Sequence, residues 1–219
     1  YRIVFVPETI GAIAYIHRNL QLLKDRVVAG INVTCVGDDR AYSYLPSRKG
    51  ETFADRALVH VLSHIDSSYR RYSFLDRGSD ERQYCSPGVD LPICSFMRSK
   101  YGEYDEYHTS DDDLNFISAT GLGQSYSVLK RCIDIFERNV KLKAQVLCEP
   151  QLGKRGLYST LGGQTDNKSV GKKLTDVFTY ADGTVDTLGI AELVGLPFSE
   201  TANLADKLMQ YGLVKSCED

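Results

Sequence analysis

Arg2-Ile3-Val4-Phe5-Val6-Pro7-Glu8-Thr9-Ile10-Gly11 reads as a strand that turns into a helix. The unbroken apolar run predicts a strand buried on both faces, as in a parallel sheet. Ile13, Ile16, Leu20 and Leu23 then recur at helical spacing, so a helix is expected from about Ile10 to Asp25. The chain opens on Tyr1 and is at once in a strand, so a preceding piece of the natural protein is expected.

Outward from that unit the pattern repeats. Strands are expected at Ala29–Val36, at Ala41–Leu45, and roughly over Tyr69–Leu75 and Leu91–Met97. Helices are expected over 51–66, where Leu58, Val61, Leu62 and Ile65 fall in register, and over 114–138, with a further strand at 142–148. This alternation predicts an α/β fold, a three-layer sandwich around a mostly parallel sheet. From Gln151 to Asn167 the chain is polar and Gly-rich, which predicts a joint. Beyond it come a helix over 168–180, a turn at Asp182-Gly183, and helices over 187–196 and 199–211. These make a helix-turn-helix with Leu213-Val214 as the start of a wing. The expected division is therefore 1–160 and 161–219.

The totals narrow the classes. Net charge is −3, which gives no general attraction to nucleic acid, and no apolar run is long enough to cross a bilayer. The six cysteines form no CxxC pair, and Cys35, Cys132 and Cys148 sit in apolar patterns, as in a reduced, cytoplasmic protein. There is no Walker-type phosphate loop and no GxSxG elbow.

In parallel sheets ligands sit at the carboxyl ends of strands. Glu8, Asp38, Asp39 and Asp80 all follow expected strands. Glu8 is placed either to act as a general base or to favour the start of the helix. His108, in Tyr107-His108-Thr109-Ser110-Asp111, offers a metal-binding imidazole or a surface histidine beside an acidic helix start. Asp80 with Glu81 and Arg82 reads as a group near a site or as a loop ion pair. His60 and His64 have metal-ligand spacing, but Val61 stands where a zinc protease needs Glu, so a structural role is expected. From Thr184 to Asp219 six carboxylates face two lysines, a net −4, so the helix-turn-helix is expected to serve packing or protein contact rather than DNA.

Val6-Pro7-Glu8-Thr9-Ile10-Gly11-Ala12, Cys35-Val36-Gly37-Asp38-Asp39, Gly78-Ser79-Asp80-Glu81-Arg82-Gln83 and Tyr107-His108-Thr109-Ser110-Asp111 occur in the order found in one family. On these motifs the chain resembles the aminopeptidase-like proteins related to M28 zinc aminopeptidases, proteins associated with polysaccharide biosynthesis. They commonly end in a winged helix, which residues 168–215 resemble. The resemblance implies a zinc site opened by a His and an Asp that lie upstream of Pro7-Glu8-Thr9 and outside this sequence. It implies Glu8 as catalytic base, His108 as the last metal ligand, and Asp80 as a group near the metal. Thr9 stands where the wider M28 pattern has a Glu ligand and Thr34 where it has an Asp, with Asp38 as a stand-in. At most one tightly held zinc is therefore expected in the intact protein. The implied activity is zinc-dependent hydrolysis of a peptide or amide bond, incomplete in this chain. The other reading is a non-catalytic binding or assembly module on the same fold. Expected partners are a peptide or amide substrate and a second copy of the chain, with no nucleic acid and no membrane.

Overall fold

A computed structural model describes residues 1–157 and 165–217, giving the backbone alone for 165–169. The chain divides into two compact units, Tyr1–Cys132 and Ile133–Asp219.

The first unit is built on a mixed four-stranded sheet. In chain order it contains α1 (Ile10–Arg26), β1 (Gly30–Val33), β2 (Ser43–Leu45), α2 (Phe53–Ser63), β3 (Arg70–Arg71), α3 (Glu81–Tyr84) and β4 (Ile93–Met97). The strand order is β1-β4-β2-β3. β1 and β4 are parallel, with Ile31 opposite Cys94, and β2 and β3 are parallel. β2 and β4 are antiparallel, with Tyr44 opposite Phe96. Cys94, Phe96 and Met97 are fully buried, as are Ala54, Ala57, Leu58 and Leu62 of α2, which packs on β4. α2 begins at a capping box: the Thr52 hydroxyl accepts from the Asp55 N–H, and the Asp55 carboxylate accepts from the Thr52 N–H. On the other helix pair, Ile16 and Leu23 of α1 bury against Leu91 and Tyr84.

The expected opening strand over 2–6 does not form. No strand is assigned there, and Ile3 and Phe5 are 80% and 92% exposed. The reason is physical: apolar runs favour extended backbone, but a strand exists only when a neighbour takes its N–H and C=O groups. Several other expected elements are shorter than read, and for two of them the cause is local. After β3 the chain leaves the sheet in a 3-10 turn, Phe74–Asp76, begun by Ser73, whose hydroxyl accepts from the Leu75 N–H. α4 runs over Ala119–Arg138, not from 114, because Ser118 caps it by accepting from the Gly121 N–H.

The second unit has its own sheet, β6-β5-β7, from β5 (Lys141–Ala144), β6 (Asp182–Asp186) and β7 (Val214–Cys217), all antiparallel. β5, expected to follow the first sheet, belongs here, so the second unit takes in chain well ahead of residue 161. Residues 182–183, read as a turn, begin β6, with Gly183 supplying a φ of 91°. α5 (Thr165–Thr179), α6 (Thr187–Val194) and α7 (Phe198–Gln210) pack Leu174, Val177, Ile190, Ala205 and Leu208 onto Leu142, Leu213 and Val214. Asp186 caps α6 through the Gly189 N–H, and Gly195, at a φ of 68°, ends it. The expected joint at 151–167 lies partly outside the described residues.

Candidate functional site

The carboxyl ends of β1 and β4 open onto a cavity of about 310 Å³. Thr34, Cys35, Gly37 and Asp38 line it from beyond β1, and Gly78, Ser79 and Tyr101 from the following loops. Glu8 and His108 reach it from opposite ends of the unit's sequence, with Tyr104, Tyr107, Asp112 and Phe116. Three of the four candidate residues, Glu8, Asp38 and His108, are thus brought together. Asp80 touches the site indirectly: its Oδ1 accepts from the Thr9 N–H at 2.7 Å.

Glu8 stands beside a backbone outlier. Thr9 has φ 63° and ψ −71°, a region that β-branched residues avoid. The Glu8 carbonyl accepts from the Ile10 N–H at 2.8 Å, which closes a γ-turn around Thr9. Arg82 donates to the Thr9 hydroxyl at 2.6 Å. Cys35 and His108 also have positive φ, 50° and 60°, so three of the five such non-glycine residues among the described residues lie in or beside this cavity. Strain of this kind persists only where surrounding structure enforces it, and it gathers at sites.

Two buried carboxylates fix the loops around the cavity. Glu81 is fully buried and accepts five hydrogen bonds: Gly78 N–H, Ser79 N–H and Tyr101 O–H on Oε1, and Asn32 and Ser95 side chains on Oε2. It fastens the 78–80 loop to β1 and β4. Asp38, 2% exposed, accepts from the Ser99 N–H, the Ser99 hydroxyl and the Arg40 N–H, and so joins the loops after β1 and β4. Gly121 makes that joint possible, since a Cβ there would stand 2.3 Å from the Gly37 carbonyl oxygen. In the sequence Glu81 stands out only as a neighbour of Asp80, and its burial has no periodic signal there. Asp55, which ties Tyr44, Ser47 and Thr52 together, had a legible one: Thr52-Phe53-Ala54-Asp55 is a capping-box spacing.

One wall of the cavity is aromatic. The His108 ring stacks on Tyr107 at 3.9 Å, and Tyr104 stacks on Phe116 at 4.9 Å. Tyr104 donates to the Cys35 sulfur at 3.4 Å, and burial followed by that thiol raises its pKa well above the usual phenol value. Tyr107 is raised by burial, then by Cys35 and Glu8. An adjoining acidic cavity of about 550 Å³ shares Asp38 and Phe116, and its Arg40 is paired with Glu106 and set over the Phe116 ring. His60 lies on α2 and His64 follows at its C-cap, away from these lining residues, with ring centroids 4.6 Å apart. Burial, aided by His64 and Arg56, lowers the His60 pKa to about 4.

A structural zinc has four protein donors and a catalytic one usually three. Among the described residues no three His, Cys, Asp or Glu groups stand close enough to hold a metal. Asp38, the expected stand-in ligand, already accepts three hydrogen bonds, and the Cys35 sulfur already accepts one. The described residues therefore do not by themselves make a zinc site. In the second unit α7 exposes Ser199, Asn203, Asp206 and Gln210, and Arg138 binds both Asn203 and Asp206.

Comparison with known proteins follows the same division. Residues 1–139 match the model of a domain of unknown function, DUF4910, and residues 139–216 match a winged helix-turn-helix. A Clostridium acetobutylicum protein described as a polysaccharide biosynthesis protein with an aminopeptidase-like domain is 40% identical over 98% of this chain and 49% of its own length. A crystal structure of a protein from Clostridium acetobutylicum, assigned as a peptidase, superposes with a TM-score of 0.85. It is 37% identical and matches 96% of this chain and 47% of its own. A zinc aminopeptidase from Bacillus subtilis reaches a TM-score of 0.47 at 16% identity, over 57% of this chain and 32% of its own. The chain spans about half the length of the relatives it matches.

Proposed function

Because the chain belongs to the DUF4910 family and carries a winged helix-turn-helix after that domain, we propose that it supplies one part of the site of an aminopeptidase-like hydrolase, within a three-layer sandwich of the M28 type. The reaction is hydrolysis of a peptide or amide bond. The observation that carries this is the meeting of Glu8 and His108, distant in sequence, on one cavity at the strand ends.

Glu8 is exposed at that cavity and takes the proton from an attacking water. The same carboxyl then returns the proton to the leaving amine nitrogen as the C–N bond breaks. Asp80 holds the turn beside Glu8, and Asp38 holds the loops that form the floor. Zinc belongs to this proposal only where further donors join His108, since one imidazole and its neighbours fall short of a site. The substrate is a peptide or a small amide. Contact with a second copy, absence of nucleic-acid binding and a cytoplasmic setting are parts of the same proposal.

The test compares this chain with a protein spanning the relatives' full length. After zinc loading and dialysis, the longer protein is expected to hold one zinc and to cleave aminoacyl anilides, and this chain to hold much less than one. Tight stoichiometric zinc in this chain that survives His108→Ala would refute the assignment.

A second reading rests on a specific observation: Asp38 and Asp80 both accept backbone N–H groups, as scaffold residues do. Under it the unit is a binding or assembly module, and the longer protein would hold no zinc and cleave nothing.

A further inference from the structure

We infer that Asp80 and Arg82 are positioning residues, which set the direction of Glu8 by clamping Thr9 in a strained turn. The comparison within the molecule is Thr52, the residue before α2. Thr52 has extended backbone, φ −72° and ψ 167°, and its hydroxyl caps the helix. Thr9 precedes α1 in the same way yet does neither: its φ is 63°, and its side chain caps nothing in the helix. Its two polar groups instead face the 80–82 segment. The N–H donates to Asp80 at 2.7 Å, and the hydroxyl accepts from Arg82 at 2.6 Å. An ordinary cap would serve α1 better, so the helix start does not account for the arrangement.

The consequence is at Glu8. The γ-turn reverses the chain one residue after it, closed by the Glu8 carbonyl on the Ile10 N–H. Without the clamp a β-branched residue relaxes to negative φ, which swings the preceding peptide and the Glu8 side chain with it. The clamp itself is anchored. Asp80 is 8% exposed, and the loop that carries it is fixed by Gly78 and Ser79 donating to buried Glu81. A chain of contacts therefore runs from β1 and β4 through Glu81 and Asp80 to the residue beside Glu8. A carboxylate meant for proton transfer needs placement of this kind, because a small misplacement of a reacting group lowers the rate sharply.

The inference rests on the proposed role of Glu8 for its kinetic arm alone. The structural arm is amide hydrogen exchange at Thr9 and Ile10. Asp80→Ala is expected to raise exchange at both at least tenfold, with the middle of α1 unchanged. Asp80→Asn keeps an acceptor and is expected to recover most of the protection. Arg82→Met, at an exposed position that leaves folding intact, raises exchange several-fold and decides the matter if Asp80→Ala does not fold. In the full-length protein, anilide hydrolysis by Asp80→Ala is expected to lose at least tenfold in kcat with KM within twofold. Unchanged exchange at Thr9 and Ile10 in the variants that fold overturns the inference, and so does a loss confined to KM. Raised local exchange in a protein that cleaves no anilide supports the clamp and sinks the hydrolase reading.

Discussion

Glu81→Gln is expected to destabilise the first unit through a buried hydrogen-bond network. The carboxylate is buried and accepts five hydrogen bonds, three on Oε1 and two on Oε2. Glutamine keeps one acceptor oxygen and turns the other into a donor. The better orientation leaves oxygen facing Gly78, Ser79 and Tyr101. The amide then faces Ser95, whose hydroxyl can rotate to accept, and Asn32, whose amide cannot without a flip. One opposed pair of donors costs about 1–3 kcal/mol. The three retained bonds also lose their charge assistance, roughly halving each, while the desolvation of a buried charge is relieved. The net expectation is a loss of about 2–4 kcal/mol, a large share of a typical domain's stability but not all of it. Urea unfolding followed by tyrosine circular dichroism reads this as a midpoint lowered by about 1–2 M. Burial and Glu81 together hold the Tyr101 hydroxyl above its usual pKa, so its spectroscopic titration should also move down in the variant. A loss below about 0.5 kcal/mol would refute the anchoring role, because five engaged donors cannot lose a charged acceptor at so small a cost.

Three further outcomes follow from the same structure. His60 titrates at about 4 when folded and about 6.5 when unfolded, so the unfolded chain binds the extra proton between those values. The resulting stability is intact above pH 6.5 and is lost as pH falls, by about 2 kcal/mol between pH 7 and pH 5, and His60→Leu should flatten that part of the profile. Gly121→Ala should destabilise by about 1–3 kcal/mol despite a better helix propensity, because the new Cβ meets the Gly37 and Asp38 carbonyl oxygens at 2.3 and 2.6 Å; thermal unfolding that shows a gain would contradict the contact. Duplex DNA titrated at low salt should show no binding that weakens with added salt, since α7 presents Ser199, Asn203, Asp206 and Gln210 where a reader needs cations.

Much of the architecture was legible because it depends on local pattern. The α1 and α2 stripes, the run at Leu91–Met97 and the helix-turn-helix all formed near their expected places. The opening run 2–6 did not, because strand formation depends on a neighbour and periodicity describes only one side of the pair. β5 was legible as a strand but not as a member of the second sheet: its four residues carry no mark of which partner they will take. At the site, placement after a strand drew attention to Glu8, Asp38 and Asp80, and the structure puts all three at or beside the cavity. What Asp38 does there was not legible, since hydrogen bonds to Ser99 depend on loop geometry. The turn at Thr9 was hidden for the same reason, as no residue preference predicts a threonine at positive φ.

The most direct measurement is anilide hydrolysis by the full-length, zinc-loaded protein and its Glu8→Gln variant. The proposed function predicts turnover that falls by a factor of about 10²–10⁴ in the variant with little change in zinc content. Turnover that survives Glu8→Gln, or a wild-type protein that binds zinc and cleaves no amide, would contradict it.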